Sequence, residues 1–139
     1  MFFDFGDLNL FGIWCLEFGF LSKRGPTTDN LLEYKDSGLI PAIVQDADNG
    51  DVLMLGYMNP EAVRLTITSG DVWFWSRSRK EMWHKGATSG NRLIVKELWQ
   101  DCDNDTILVK AKPMGPVCHT GNRTCFFQKL TEKSLEQPK

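Results

Sequence analysis

The stretch LIPAIVQDADNGDVLMLGYM, residues 39–58, decides the fold. Two apolar runs, centred on Ile43-Val44 and on Val52–Leu55, flank the pair Asn49-Gly50, and both residues of that pair tolerate positive φ. An apolar run, a tight turn and a second apolar run make the pattern of an antiparallel hairpin. The next segment, NPEAVRLTITSG (59–70), carries the marks of a helix: Asn59 as cap, Pro60 in the first turn, Glu61 at the positive end and Gly70 as stop. DVWFWSRS (71–78), NRLIVKELW (91–99) and TILVKA (106–111) read as strands, KPMGP (112–116) as a turn and CFFQKL (125–130) as a last strand. The expected fold class is therefore α+β, dominated by antiparallel strands, with one or two helices.

Outward from this body, composition sets the limits. A chain of 139 residues suits one domain with a real core. The net charge of −2 argues against a general nucleic-acid binder, so an anionic ligand must be held by local positive charge. SKRGPTTDN (22–30) reads as a linker broken at Gly25-Pro26, which gives an atypical apolar N-terminal segment and linker over 1–30, a body over 31–130 and a polar tail over 131–139. The longest uncharged run in the first segment, Leu8 to Leu16, is short of the ~20 residues that a membrane-spanning helix needs. Asp4, Asp7 and Glu17 interrupt the segment, and it lacks the Lys/Arg face of a membrane-surface anchor. It is expected to pack on the body or to form a loose tail, and no membrane partner is expected. Lys23 and Arg24 follow the apolar part, the reverse of a secretory signal, so a cytoplasmic location is expected.

Three motifs carry chemistry. DCDND (101–105) sets Asp101, Asp103 and Asp105 at alternate positions, which in a strand would share one face. Such crowded carboxylates need a positive partner; a hard divalent cation is one reading and a solvated acidic turn the other. An EF-hand is excluded, because its glycine position holds Thr106 and its final glutamate position holds Lys112. GPVCHTGNRTCF (115–126) adds Cys118 and Cys125 to Cys102. Three thiols suit a catalytic zinc that keeps one position for water, but the spacing matches no finger, and three buried apolar cysteines are an equal reading. SRSRKEMWHKGATSGN (76–91) combines the cations Arg77, Arg79, Lys80 and Lys85 with hydroxyls on Ser76, Ser78, Thr88 and Ser89, and with Gly86 and Gly90. That set can hold phosphate, and Trp73, Trp75 and Trp83 can stack a base; a basic surface loop over core tryptophans is the plainer reading. His84 and His119, the only histidines, both fall inside these polar stretches.

Taken together, WFWSRSRKEMWHKGATSGN, DCDND and GPVCHTGNRTCF resemble the signature blocks of the phosphoribosyl-AMP cyclohydrolase family, and IPAIVQDADNGDVLMLGYMN resembles its opening hairpin. The likeness runs from about Leu39 to about Phe127, with Gly56 where the family often has alanine. It implies hydrolytic opening of the adenine ring of 1-(5-phosphoribosyl)-AMP at N1–C6, the third step of L-histidine biosynthesis, on a fold of small barrel-like pieces. It implies a homodimer with interfacial Zn2+, held by Cys102 of one chain and by Cys118 and Cys125 of the other, and Mg2+ on Asp101, Asp103 and Asp105. In that setting His119 takes or relays a proton and His84 orients or protonates the substrate. Ser76, Arg77, Arg79, Trp83, Lys85, Thr88, Ser89, Gly90 and Asn91 bind it. The pyrophosphohydrolase domain fused to some relatives is expected to reside elsewhere. Two other functions fit parts of the pattern. A zinc nucleobase deaminase would need H-x-E and P-C-x-x-C, and neither motif occurs. A non-catalytic zinc-stapled nucleotide-binding module would unfold on chelation.

Overall fold

The computed structural model describes residues 31–136, of which all but Leu31 belong to one unit that begins at Leu32. The expectations for the apolar segment and its linker fall outside the described residues.

Strands β1 (Ile40–Asp46) and β2 (Val52–Met58) form the antiparallel hairpin, with Ile43 opposite Leu55. Of the two turn residues expected to tolerate positive φ, Gly50 alone adopts it. Helix α1 (Pro60–Ser69) follows as expected: Asn59 Oδ1 accepts the Ala62 N–H at 2.8 Å, and the Gly70 N–H donates to the Thr66 carbonyl at 3.2 Å. The buried Thr66 hydroxyl donates to the Ala62 carbonyl at 2.7 Å and accepts the Trp73 N–H at 3.0 Å, which ties the helix to the next strand. Strands β3 (Trp73–Ser76) and β4 (Glu81–His84) form a two-stranded ribbon, and β5 (Leu93–Gln100) and β6 (Ile107–Pro113) complete the main sheet. A single turn, α2 (Glu132–Leu135), lies in the tail.

The main sheet runs β2-β1-β6-β5 and is open, so the barrel-like pieces expected from the resemblance do not close into a barrel. It is also mixed, because β6 pairs with β1 in parallel, Ala42 opposite Ile107 through Asp46 opposite Ala111. The core is one continuous layer. Ile40, Ala42 and Val44 of β1, Met58 of β2, Ala62 and Val63 of α1, Phe74 of β3 and Val109 and Ala111 of β6 are all buried together. Alternation puts Ile40, Ala42 and Val44 into that layer, and the next alternate residue, Asp46, is buried too but pairs with Arg123.

Two expectations change. CFFQKL (125–130) is not a strand: the Cys125 N–H donates to the Leu53 carbonyl at 2.8 Å, but the Phe126 N–H turns to the Thr124 hydroxyl at 3.1 Å, so no ladder develops. EMWH, inside the polar run, is a strand. Its apolar residues Met82 and Trp83 are adjacent, so the period-2 signal was missing.

Gly56 bears on how the ribbon meets the sheet. A Cβ there would lie 2.5 Å from two ring carbons of Phe74, a side chain only 1% exposed. The absent side chain is what lets that ring close on β2. Gly56→Ala is expected to destabilise by ~1–3 kcal/mol through overpacking, read from the urea midpoint; an unmoved midpoint would mean that Phe74 shifts aside without cost.

Candidate functional site

Cys118 and Cys125 come together because the chain between them reverses. The Cys118 N–H donates to the Asn122 carbonyl at 3.0 Å, and the Gly121 N–H donates back to the Cys118 carbonyl at 3.0 Å. The returning limb is fastened to the hairpin: the Thr124 hydroxyl donates to the Val52 carbonyl at 2.8 Å, and Arg123 pairs with Asp46 and Asp51, each at 2.5 Å. Cys118 is buried, and the Thr120 hydroxyl donates to its sulfur at 3.1 Å. That bond, with the neighbouring Cys125 and Lys85, holds the Cys118 thiol below the ordinary range. Burial pushes the Cys125 thiol up. His119 is exposed, with Nδ1 4.0 Å from the Cys118 sulfur.

Lys85 projects toward the same thiols. It is buried, and its Nζ donates to the Val117 carbonyl at 2.8 Å. Burial pulls its ammonium below the usual lysine range, while Cys125 and Cys118 pull it back. The loop after Lys85 folds tightly, Gly90 N–H to Gly86 carbonyl at 2.8 Å. Gly86 is obligatory there: its φ is +86° and a Cβ would lie 2.5 Å from the Asn91 carbonyl. The result is a cleft of about 370 Å³ in which Trp83, Lys85, Thr88, Ser89, Asn91, Cys118 and His119 share a lining. Gly90 belongs to the same loop without lining the cleft.

A second cleft, of about 610 Å³, lies against edge strand β2 and the ribbon and takes in Tyr57, Ser76, Arg77 and Trp83. Trp83 therefore walls both. Arg79 lines neither and pairs with Glu81 at 3.2 Å. His84 also lines neither. Strand alternation puts it on the face opposite Trp83, stacked on Trp73 with centroids 4.5 Å apart. Its buried Nε2 is 3.3 Å from Asp71 Oδ2 without the alignment of a hydrogen bond, and Arg92 pairs with the same carboxylate. The two histidines thus occupy different surroundings.

Asp101, Asp103 and Asp105 lie in the β5–β6 turn, so the shared strand face is not how they meet. The turn brings them together instead: one oxygen from each lies within 4.8 Å of the others. Asp101 Oδ1 accepts the N–H groups of Asp105 at 3.0 Å and Thr106 at 3.1 Å, which tightens the turn. Asp101 and Asp105 push the Asp103 carboxyl up, and the Lys35 ammonium, 2.5 Å from Asp105, pulls that one down. Cys102 is exposed in the same turn. Among the described residues, this carboxylate trio is the one metal-competent group, and Cys102 does not join Cys118 and Cys125 within one chain.

The donors fit the implied metals in different ways. Three hard oxygens on one tight turn suit magnesium. Two apposed thiols suit zinc, and among the described residues no third thiol stands beside them. Thr120 and Lys35, missed in the sequence, complete these surroundings. Thr120 stands two residues from Cys118, a local signal that was available; Lys35 meets Asp105 across 70 positions, which no motif reports.

A small α+β protein with a buried thiol, an exposed imidazole and polar donors around one cleft has the make-up of an enzyme acting on a small polar substrate. Comparison with known proteins makes this specific. Residues 54–127 match the family model for phosphoribosyl-AMP cyclohydrolase. Curated proteins of that name are similar over most of the body: 55% identical in Listeria monocytogenes serotype 4b, covering 68% of this chain and 90% of the relative; 56% in Clostridium botulinum Type A, covering 69% and 87%; and 57% in Pelotomaculum thermopropionicum, covering 71% and 77%. The chain belongs to the phosphoribosyl-AMP cyclohydrolase family. Among the described residues, no helix is long and apolar enough to cross a membrane.

Proposed function

We propose that this chain hydrolyses 1-(5-phosphoribosyl)-AMP, adding water at C6 and breaking the N1–C6 bond, in L-histidine biosynthesis. The amino nitrogen is kept, in contrast to deamination. The observation that carries the reading is the cleft that unites Cys118, His119 and the polar Thr88, Ser89 and Asn91 behind Trp83.

In this reading the purine lies against Trp83, and one phosphate takes hydrogen bonds from Thr88, Ser89 and Asn91. His119, exposed beside Cys118, accepts and relays the proton released as water adds to C6. Lys85 brings a positive charge to the thiols and offsets their negative charge. His84 acts through Trp73 and Asp71 to position the ribbon that carries Trp83. Zinc would be held by Cys118 and Cys125 of one chain and Cys102 of a second, and magnesium by Asp101, Asp103 and Asp105. Zinc supplies a Lewis acid that lowers the pKa of water to about 7, and magnesium a countercharge for phosphate.

A homodimer is part of the proposal, since Cys102 lies apart from the other two thiols. The outer face of the main sheet supports it. Leu55, Ile43, Leu108 and Trp99 oppose one another across all four strands and form an apolar row, with Leu55 and Trp99 exposed.

Incubation with phosphoribosyl-AMP, zinc and magnesium is expected to give the absorbance change of ring opening. A chelator is expected to abolish it, and no ammonia is expected to appear. Ammonia release would indicate a deaminase; binding without turnover, together with unfolding on chelation, would indicate a zinc-stapled module.

A further inference from the structure

The larger cleft holds a cation that meets no carboxylate among the described residues. Five arginines fall among the described residues, and four are matched to carboxylates: Arg64 to Glu61, Arg79 to Glu81, Arg92 to Asp71, and Arg123 to Asp46 and Asp51. Arg77 has none. Its guanidinium instead lies over the Tyr57 ring, 3.9 Å from the centroid. A guanidinium held against a ring in this way spends no N–H on a carboxylate, and its donors form the fork that grips phosphate in two bonds. Ser76 and Ser78 hydroxyls share the cleft with it, Trp75 supplies further aromatic surface, and Trp83 separates this space from the cleft of Cys118 and His119.

Resting on the proposed function, we infer that the cleft built on Tyr57 and Arg77 is the subsite for a second ribosyl phosphate. The substrate has an arm at each end of its purine. One phosphate goes to the Thr88–Asn91 loop and the other crosses Trp83 to Arg77, so that the protein selects a substrate carrying both. Tyr57 is the positioning residue: it touches Arg77 and sets the direction of its donors. It was not recognisable in the sequence, because it reaches Arg77 from the opening hairpin, 20 positions away.

The test uses the full-length protein and three substrates: phosphoribosyl-AMP and its two analogues that each lack one phosphate. Arg77→Gln is expected to raise KM for the complete substrate roughly 10- to 100-fold, the range for a hydrogen bond to a charged group, with kcat nearly unchanged. It is expected to add no further loss on the one analogue that lacks the gripped phosphate. Tyr57→Leu should reproduce part of the KM effect and Tyr57→Phe should not, since the ring remains. Equal losses on both analogues, or no loss on the complete substrate, overturn the subsite. If the wild-type protein does not open phosphoribosyl-AMP, the function reading fails. A tryptophan-fluorescence titration with ribose 5-phosphate then still reads the subsite alone: wild-type protein should bind it more tightly than Arg77→Gln, and equal binding overturns the inference.

Discussion

Alanine in place of His119 is expected to lower kcat by roughly 10²- to 10⁴-fold, the usual contribution of a positioned acid–base group, and to leave unchanged the melting temperature and the content of the zinc proposed above. The separation of these effects follows from the site. His119 is exposed and is absent from the core, so its removal leaves no cavity. The thiols are positioned by other groups: Thr120 on Cys118, and Thr124 and Arg123 fastening the limb that carries Cys125. A protein that lost zinc together with activity would place His119 among the metal's supports instead. Normal turnover with zinc intact would remove it from the chemistry.

The second large effect is structural. Phe74→Ala is expected to cost ~3–5 kcal/mol, as a buried aromatic truncated in a closed site does, measured by urea denaturation. Phe74 is 1% exposed, packs against Gly56 and stands 5.5 Å from Trp83. It is the ring through which the ribbon is seated on β2, and it also lines the Arg77 cleft. Loss of stability should therefore come with a raised KM in whatever fraction remains folded. A stability change under about 1 kcal/mol, the level of a site that can collapse with little void, would show that the ribbon does not depend on this contact.

Much of the architecture was legible because it depends on near neighbours. Asn59 caps its helix by accepting an N–H three residues ahead, Gly50 turns a hairpin between runs a few residues away, and alternation in β1 identifies its buried face. The parallel pairing of β1 with β6 was not legible. Nothing within either strand encodes a partner more than sixty residues distant, and the antiparallel bias of neighbouring strands pointed elsewhere. β4 was hidden for a different reason: it is held by its partner β3 and not by an apolar rhythm of its own.

The site divides in the same way. By residue type and order alone, the sequence determined which side chains are the candidates for the chemistry: the three carboxylates of the β5–β6 turn, the thiols of Cys102, Cys118 and Cys125, and the polar run through Trp83 to Asn91. Those identities are covalent facts that folding cannot alter. Only the tertiary structure decided who meets whom. Lys85 turned inward to a carbonyl beside two thiols, Arg77 onto Tyr57, and His84 away from His119. The physical reason is that side-chain direction depends on strand pairing and chain reversal, and these are set by core burial across the whole body, at distances along the chain that no local pattern spans.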